Sequence, residues 1–177
     1  IAMSQKAWDA AEKSNLPKFY LNLKSYRKSL LSNSNPYTPA VNLVFALDEA
    51  LKMMREEGLD NIFLRHNKHK LAMSNAMKAL NLELFADEKY LSPSITAIKT
   101  EGMDAEEFRK TIKKNFDILL AGGQDHLKGK IFRVGHLGYV NDRDIITVVS
   151  AISNTLLKLG KITAQQAGEA LFTLSKY

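Results

Sequence analysis

The 177-residue chain is 45% hydrophobic and 25% charged, a composition typical of a globular protein, and its length suits one domain or one domain and part of another. It has no cysteine, which excludes disulfides, thiolate metal sites, cysteine-ligated iron–sulfur clusters and cysteine nucleophiles within it. Its 25 basic and 19 acidic residues are scattered, which argues against a nucleic-acid partner, and no apolar run is long enough for a membrane span. We therefore expect a cytoplasmic protein, and the first residue, Ile1, indicates a fragment.

The N-terminal region is predicted to contain a short helix, a segment of either helix or strand, and a long loop. Ser4 is expected to cap a short first helix, while residues 18–31 are compatible with either a strand or a helix. Residues 32–40, SNSNPYTPA, form the strongest loop signal because polar residues and two prolines disfavour regular backbone pairing. Thr38 is predicted to cap the next helix, with Pro39 in its first turn.

Two long amphipathic helices are predicted to follow, one ending at Gly58 and the other opening at Asp60. Apolar residues at this spacing usually pack into a core. In the first helix the predicted core residues are Val41, Val44, Phe45, Leu47, Leu51 and Met54; in the second they are Ile62, Met73, Met77 and Leu80.

Beyond residue 81, short strands are predicted to alternate with helices. The expected strands are residues 94–100, 117–123 and 130–138. Three helix starts carry capping signals, namely Asp104 with Glu107, Asn141, and Thr163 with Gln166; Gly160 is predicted to end the second of these helices. The pattern indicates an α/β protein in which a small sheet is layered against helices.

Two groups of residues resemble a phosphate loop and a metal site but lack the features that such sites require. Gly122, Gly123 and Gly129-Lys130 do not have the spacing of a phosphate loop, so we interpret them as a turn between strands. His66 and His69 are spaced to share a metal, but Arg65, Lys68 and Lys70 surround them without any carboxylate. A solvated helix face is therefore expected there, and no metal site is predicted.

Thr38 and Arg133 each allow two interpretations. Thr38 is either a simple cap or a hydroxyl donor for an anion at a helix N-terminus. Arg133 is either an edge-strand arginine that reaches solvent or a bidentate carboxylate clamp, because a guanidinium keeps its charge and needs water, an acid or an anionic ligand.

Three segments, in this order, resemble the C-terminal half of class V pyridoxal-phosphate aminotransferases of the alanine–glyoxylate and serine–pyruvate type. They are SNPYTPAVNLVFAL (34–47), LRHNKHKLAMSNAMKAL (64–80) and LAGGQDHLKGKIFRVGHLGYVNDRD (120–144), within a similarity that runs from residue 1 to about 160. Some bacterial relatives of this type carry the label soluble hydrogenase small subunit. The resemblance implies a fold-type I enzyme whose small C-terminal domain is a short, mostly antiparallel sheet covered by helices and preceded by a long linking helix.

The resemblance also implies roles for individual residues. Arg133 would bind the α-carboxylate of the substrate, while Thr38, with Asn35 and Tyr37 as further candidates, would bind the phosphate of pyridoxal 5'-phosphate in the partner subunit of a homodimer. Lys6 stands in a Ser-Gln-Lys sequence like that of the cofactor-binding lysine, but no Pro-Pro-Gly follows it. We therefore do not assign Lys6 that role, and no catalytic residue is expected within the chain.

By this resemblance, residues 1–38 are the tail of the large cofactor domain, 39–160 the linking helix and small domain, and 161–177 a C-terminal helical extension. The intact protein would move an amino group between a small amino acid, such as alanine or serine, and glyoxylate or pyruvate, and the chain alone would be inactive. Two alternatives remain open: a non-catalytic subunit or interaction module of a soluble hydrogenase, and an anion-binding module that uses scattered positive charge.

Overall fold

The computed structural model describes residues 1–177 and contains ten helices and strands in two compact units, residues 1–53 and 54–177. In chain order the elements are α1 (Gln5–Lys13), α2 (Leu23–Leu30), α3 (Val41–Glu57), α4 (Leu59–Ala79), β1 (Ile95–Lys99), α5 (Ala105–Phe116), β2 (Ala121–Gly122), β3 (Ile131–Gly135), α6 (Asp142–Lys158) and α7 (Ala164–Leu174). None of the helices combines the length and the apolarity needed to cross a bilayer.

The first unit contains α1, α2 and the loop before α3. Ser4 caps α1 as predicted, because its side chain accepts a hydrogen bond from the backbone N–H of Ala7. The ambiguous segment 18–31 forms a helix, α2, whose N-terminus is capped by the side chain of Asn22. The aromatic rings of this unit cluster around Tyr37.

The predicted start of α3, with Thr38 as cap and Pro39 in the first turn, is two residues too early. The helix begins at Val41, and the first helical hydrogen bonds run from Leu43 and Val44 to the carbonyl of Ala40. A capping side chain must reach the second or third N–H of its helix, and Thr38 precedes the helix by too many residues to do so. The predicted end is confirmed, because α3 stops before Gly58, which adopts a φ of +82°.

The prediction that α3 contributes core residues is also wrong for this structure. Its six predicted core side chains are between 46% and 69% exposed, and no residue of α3 is buried. Apolar spacing along a helix shows that an apolar face exists, but it does not identify what covers that face. By contrast, Met73, Met77 and Leu80 of α4 are fully buried as predicted, whereas Ile62 is half-buried.

The second unit is built on a three-stranded antiparallel sheet with the order β1-β3-β2. A single bridge between Leu84 and Ile98 extends the sheet beyond β1. The predicted strand 117–123 is much shorter than expected, since only Ala121 and Gly122 pair with β3. Asp117 closes α5 in a left-handed conformation, so the predicted strand cannot begin at this residue.

One face of the sheet packs against helices and forms the core. Phe132 and Val134 of β3 point to this face together with Ile98 of β1, and the ring of Phe132 lies 5.1 Å from that of Phe108 on α5. Helices α4, α5 and α6 supply most of the remaining core residues. The structure thus confirms an α/β fold with a small antiparallel sheet covered by helices.

Local capping chemistry specifies all three predicted helix starts, and two of them form a reciprocal capping box. Asn141 at the start of α6 and Thr163 at the start of α7 each form a reciprocal capping box, the latter with Gln166 as predicted. The box predicted from Asp104 and Glu107 does not form. The side chain of Asp104 caps α5 by accepting a hydrogen bond from the backbone N–H of Glu106. The carboxylate of Glu107 instead pairs with the exposed Lys110.

The C-terminal segment 161–177 packs onto the core of the second unit. Ile162 and Ala170 are buried, and α7 lies against α4 and α6. The side-chain amide of Asn75 on α4 donates a hydrogen bond to the hydroxyl of Tyr177. These contacts make the last helix a structural part of the second unit, while the domain limits of a longer protein remain a prediction.

Candidate functional site

Arg133 lies on the central strand of the sheet, so the interpretation of it as an edge-strand residue is wrong. It pairs with Ala97 of β1 on one side and with Ala121 of β2 on the other. Because side chains alternate along a strand, Phe132 and Val134 face the core while Arg133 projects from the opposite face. The side chain is half-buried there rather than extended into bulk solvent.

The guanidinium of Arg133 makes one hydrogen bond within the chain and pairs with no acidic side chain. Its Nε donates a hydrogen bond of 2.9 Å to the carbonyl oxygen of Gly122. None of the ion pairs in the structure includes Arg133. Both terminal nitrogens, Nη1 and Nη2, therefore remain available as a planar fork of donors, the geometry that matches a carboxylate.

Small residues flank Arg133 on three sides of its face of the sheet, and Ile131 lies on the fourth. Its two cross-strand neighbours are alanines, Ala97 and Ala121, and the next residue of β3 on the same face is Gly135. Directly opposed side chains in a sheet lie only about 5 Å apart, so larger residues at these positions would fill the space beside the guanidinium. The sheet thus presents a cation with room next to it for a small ligand.

The candidate phosphate-binding residues lie in the first unit, in the loop before α3. Thr38 and Asn35 are exposed, and neither side chain has a hydrogen-bond partner, so both are free to donate to an anion. Tyr37 is different, because its hydroxyl donates to the carbonyl oxygen of Phe19 at 3.1 Å and its ring packs 4.8 Å from that of Tyr20. Tyr37 therefore shapes the loop more than it offers a donor.

Lys6 is an exposed residue of α1. Its Ser-Gln-Lys context begins a helix, since Ser4 is the cap of α1 and Gln5 is the first helical residue. We assign no functional role to this lysine, because it lies exposed in the first turn of a helix.

His69 is not on a solvated helix face, which corrects the prediction for that part of α4. It is 1% exposed, and its Nε2 lies 3.0 Å from a carboxylate oxygen of Asp142, whose other oxygen accepts from Lys68 at 2.6 Å. The hydrogen bond from Lys68, followed by that from His69, lowers the pKa of Asp142. The acid that the local sequence lacks is thus supplied by the start of α6, and the chain contains no cluster of acids and histidines arranged to bind a metal.

The loop 136–140, which follows β3, is held by two further residues of α4. Arg65 donates from Nη1 to the carbonyl oxygens of Gly138 and Val140, both at 2.9 Å, and pairs with Glu57 through Nε and Nη2. The hydrogen bond from Arg65 lowers the pKa of Glu57. His66 accepts from the backbone N–H of Gly138 at 3.2 Å. These bonds fix the backbone immediately after the strand that carries Arg133.

Sequence reasoning missed two side chains next to Gly122. Arg109 and Glu106 of α5 form an ion pair of 2.7 Å that lies against this glycine. Their spacing of three residues along a helix resembles that of any surface pair. The one available signal in the sequence was the Gly122-Gly123 pair, because glycine allows a close approach to the backbone, but a glycine pair also fits an ordinary turn.

No protein-family model matches the sequence. Among curated proteins, the soluble hydrogenase 42 kDa subunit of Anabaena cylindrica is 54% identical over 160 residues, which cover 90% of this chain and 42% of that protein. An uncharacterized aminotransferase of Methanocaldococcus jannaschii is 37% identical over 163 residues, with coverages of 90% and 42%. The serine–glyoxylate aminotransferase of Methylorubrum extorquens is 32% identical over 171 residues, with coverages of 92% and 42%.

Solved structures show the same relationship. The ureidoglycine–glyoxylate aminotransferase of Bacillus subtilis superimposes with a TM-score of 0.83 at 27% identity, covering 98% of this chain and 46% of that one. The chain spans about two fifths of the length of the curated relatives it matches. Sequence and fold together assign the chain to the class V aminotransferases, whose C-terminal part it matches.

Proposed function

We propose that the chain forms the substrate-carboxylate side of a pyridoxal-phosphate-dependent transaminase that moves an amino group between a small amino acid and a 2-oxo acid. The observation that carries this proposal is the state of Arg133. It is a half-buried cation on a central strand, anchored through Nε and without an acidic partner. A permanent charge held in this way favours an anionic ligand, and both substrates of a transaminase carry a carboxylate.

Arg133 would bind the carboxylate of either substrate through its two terminal nitrogens. Because Nε is already bonded to the carbonyl of Gly122, the plane of the guanidinium is set before the ligand arrives, which reduces the entropy lost on binding. The small neighbours Ala97 and Ala121 leave space for the carboxylate beside the strand. A substrate held at this end has its amino or keto carbon in a fixed orientation relative to the rest of the active site.

Pyridoxal phosphate, when bound, supplies an electron sink for negative charge that develops at the substrate carbon. The donor set of the first unit fits its phosphate, since Thr38 and Asn35 offer an unpaired hydroxyl and an unpaired amide in an exposed loop. We propose that these two residues donate to the phosphate in the partner subunit of a homodimer. Tyr37, whose proton is engaged by Phe19, would hold the loop in place.

The lysine that binds the cofactor is proposed to lie in a part of the full-length protein other than residues 1–177. The chain on its own is then expected to show no transamination, because the Ser-Gln-Lys segment that resembles the lysine motif is an exposed helix start. Incubation of the isolated chain with pyridoxal phosphate and L-alanine tests this, and the formation of pyruvate at a catalytic rate would contradict it.

Substitution of Arg133 in the full-length protein tests the proposed function. The variants are Arg133→Met, and Arg143→Met as a control that removes the same charge from an exposed position at the start of α6. Two charge-assisted hydrogen bonds contribute about 1.5–3 kcal/mol each, so Arg133→Met should lower kcat/KM for L-alanine by about 10²- to 10⁴-fold. The control should remain close to wild type.

A substrate without a carboxylate sharpens the same test. Ethylamine is alanine without its carboxylate, so its single-turnover reaction with the cofactor-loaded enzyme should proceed at the same rate in wild type and in Arg133→Met. Equal kcat/KM for alanine in wild type and variant would refute the proposed role of Arg133. An equal loss for alanine and ethylamine would also refute it, because the substitution would then have damaged the site in general.

A second candidate function comes from the names of the relatives that are 54% identical, which describe subunits of a soluble hydrogenase. A chain without cysteine cannot supply thiolate ligands to a metal centre, so it would act there as a non-catalytic subunit or interaction module. Purification of the full-length protein decides between the two. Transaminase turnover in the protein free of hydrogenase supports the first proposal, and stable co-purification of hydrogenase with no turnover supports the second.

A further inference from the structure

We propose that Arg109 on α5 is a positioning residue that orients the guanidinium of Arg133 by bracing strand β2. The inference rests on the proposed function, because it concerns how the substrate-binding arginine is held. Arg109 does not reach the ligand itself. It acts through the backbone of Leu120 and Gly122, the segment to which Arg133 is anchored.

Arg109 contacts the backbone directly before strand β2. Its Nε donates a hydrogen bond of 2.8 Å to the carbonyl oxygen of Leu120, while Nη1 pairs with Glu106 at 2.7 Å. The side chains of Arg109 and Glu106 are only 23% and 30% exposed. The guanidinium is thus fixed by an acid on its own helix and by a carbonyl on the neighbouring strand.

The ion pair of Arg109 and Glu106 also lies very close to Gly122. A Cβ atom at this position would lie 2.5 Å from Nη1 of Arg109 and 2.6 Å from Oε1 of Glu106. Only a residue without a side chain allows the ion pair to lie so close to the backbone. The carbonyl of the same glycine accepts the 2.9 Å hydrogen bond from Nε of Arg133. One residue therefore separates the two arginines.

Strand β2 is held in the sheet by a short pairing. Only Ala121 and Gly122 of this edge strand pair with β3, so its ladder alone provides few restraints. The hydrogen bond to Leu120 and the ion pair packed on Gly122 add restraints on both sides of that short pairing. Without them the peptide that carries the Gly122 carbonyl would be held by only one further bond, from the backbone N–H of Gly123 to the carbonyl oxygen of Ile131 at 3.2 Å. The plane of the Arg133 fork would then be less firmly set before the ligand binds.

A matched pair on the same helix shows what Arg109 would do if it served the surface alone. Lys110 and Glu107 have the same three-residue spacing, at 3.0 Å, but both side chains are 71% exposed and neither contacts β2. Exposed pairs of this kind contribute little to stability. Lys110→Met therefore removes one positive charge from α5 with no predicted effect on the substrate site.

The experiment uses the full-length, cofactor-loaded enzyme and compares Arg109→Met with Lys110→Met in steady-state kinetics with L-alanine. A fork that is no longer set before the ligand binds loses part of its charge-assisted hydrogen bonding to the carboxylate, so we expect Arg109→Met to raise KM for L-alanine by about tenfold. The value of kcat should stay within about twofold, because the reacting groups are unchanged. Lys110→Met should match wild type in both constants.

The same substitution in an Arg133→Met background separates positioning from general stability. If Arg109 acts through Arg133, Arg109→Met adds no further rise in KM there, although it raises KM in the wild-type background. An equal rise in both backgrounds would overturn the inference, as would kinetics equal to those of Lys110→Met. Arg109→Lys provides a second variant if Arg109→Met does not fold. Its single ammonium nitrogen cannot stand at the positions of both Nε and Nη1, so it should restore KM only in part, and full restoration would overturn the inference.

The outcomes distinguish this inference from the function on which it rests. If Arg133→Met itself has wild-type kinetics, the proposed function fails. If Arg133→Met is impaired while Arg109→Met and Lys110→Met are alike, the proposed function stands and only the bracing role of Arg109 fails.

Discussion

The buried histidine that follows strand β3 predicts how the stability of the chain depends on pH. His136 is fully buried, and its Nε2 is hydrogen-bonded to the hydroxyl of Thr96 at 2.9 Å. Its Nδ1 is buried without a hydrogen-bond partner, and the carbonyl of Pro93 nearby favours the charged ring and so partly opposes the effect of burial on the pKa. Burial, followed by the nearby His69 and His66, lowers the pKa of His136 from 6.5 to about 4.

The sign and the size of the effect follow from this pKa. Above pH 6.5 the ring is neutral in both the folded and the unfolded chain, so its contribution does not change with pH. As the pH falls from 6.5 towards 4, the unfolded chain binds the proton first, and the folded state loses stability. The loss is about 2 kcal/mol at pH 5 and reaches about 3 kcal/mol near pH 4, below which it grows no further.

Urea unfolding followed by far-ultraviolet circular dichroism at pH 7 and pH 5 measures this difference. In His136→Gln, the free energy of unfolding should fall by about 2 kcal/mol less between the two pH values than in wild type. His126→Gln is the matched control, because it makes the same substitution at an exposed position. If wild type and His136→Gln lose equal stability, or if the His136 ring titrates near pH 6.5 by nuclear magnetic resonance, the reasoning is refuted.

Three further substitutions test other parts of the structure. Phe132→Ala removes a fully buried ring that packs against Phe108 and should lower the free energy of unfolding by about 3–5 kcal/mol in the same assay; a loss below about 1 kcal/mol would contradict the described core. Gly123→Ala should lower the thermal midpoint, because its Cβ would lie 2.0 Å from the backbone oxygen of Leu127, and an unchanged midpoint would show that the turn differs. Thr38→Ala in the full-length enzyme should accelerate the loss of pyridoxal phosphate during gel filtration, and equal retention would leave Thr38 a simple loop residue.

Local chemistry accounts for the parts of the fold that the sequence predicts well. Capping by Asn141 and Thr163 depends on side chains a few residues apart, and the burial of α4 follows from its apolar spacing. The failures all depend on contacts between distant segments. The apolar face of α3 stays exposed, and His69 is buried because Asp142, which lies 73 residues later, provides its partner.

The candidate site shows the same division. The type and the context of Arg133 single it out in the sequence, and its proposed ligand remains a prediction that the geometry supports. Its anchoring to Gly122 cannot be predicted locally, because that carbonyl belongs to a neighbouring strand. The proposed role of Arg109 is still harder to predict from the sequence. It depends on how closely the ion pair of Arg109 and Glu106 approaches the backbone of Gly122. Strand register and side-chain approach, rather than residue type, carry this information.

A crystal structure of the full-length enzyme with bound pyruvate tests the central claim most directly. The account predicts that the two carboxylate oxygens of pyruvate lie about 2.7–2.9 Å from Nη1 and Nη2 of Arg133, with Nε still bonded to the carbonyl of Gly122. Pyruvate bound through another residue, with the Arg133 fork paired to an acid of the protein, would contradict it.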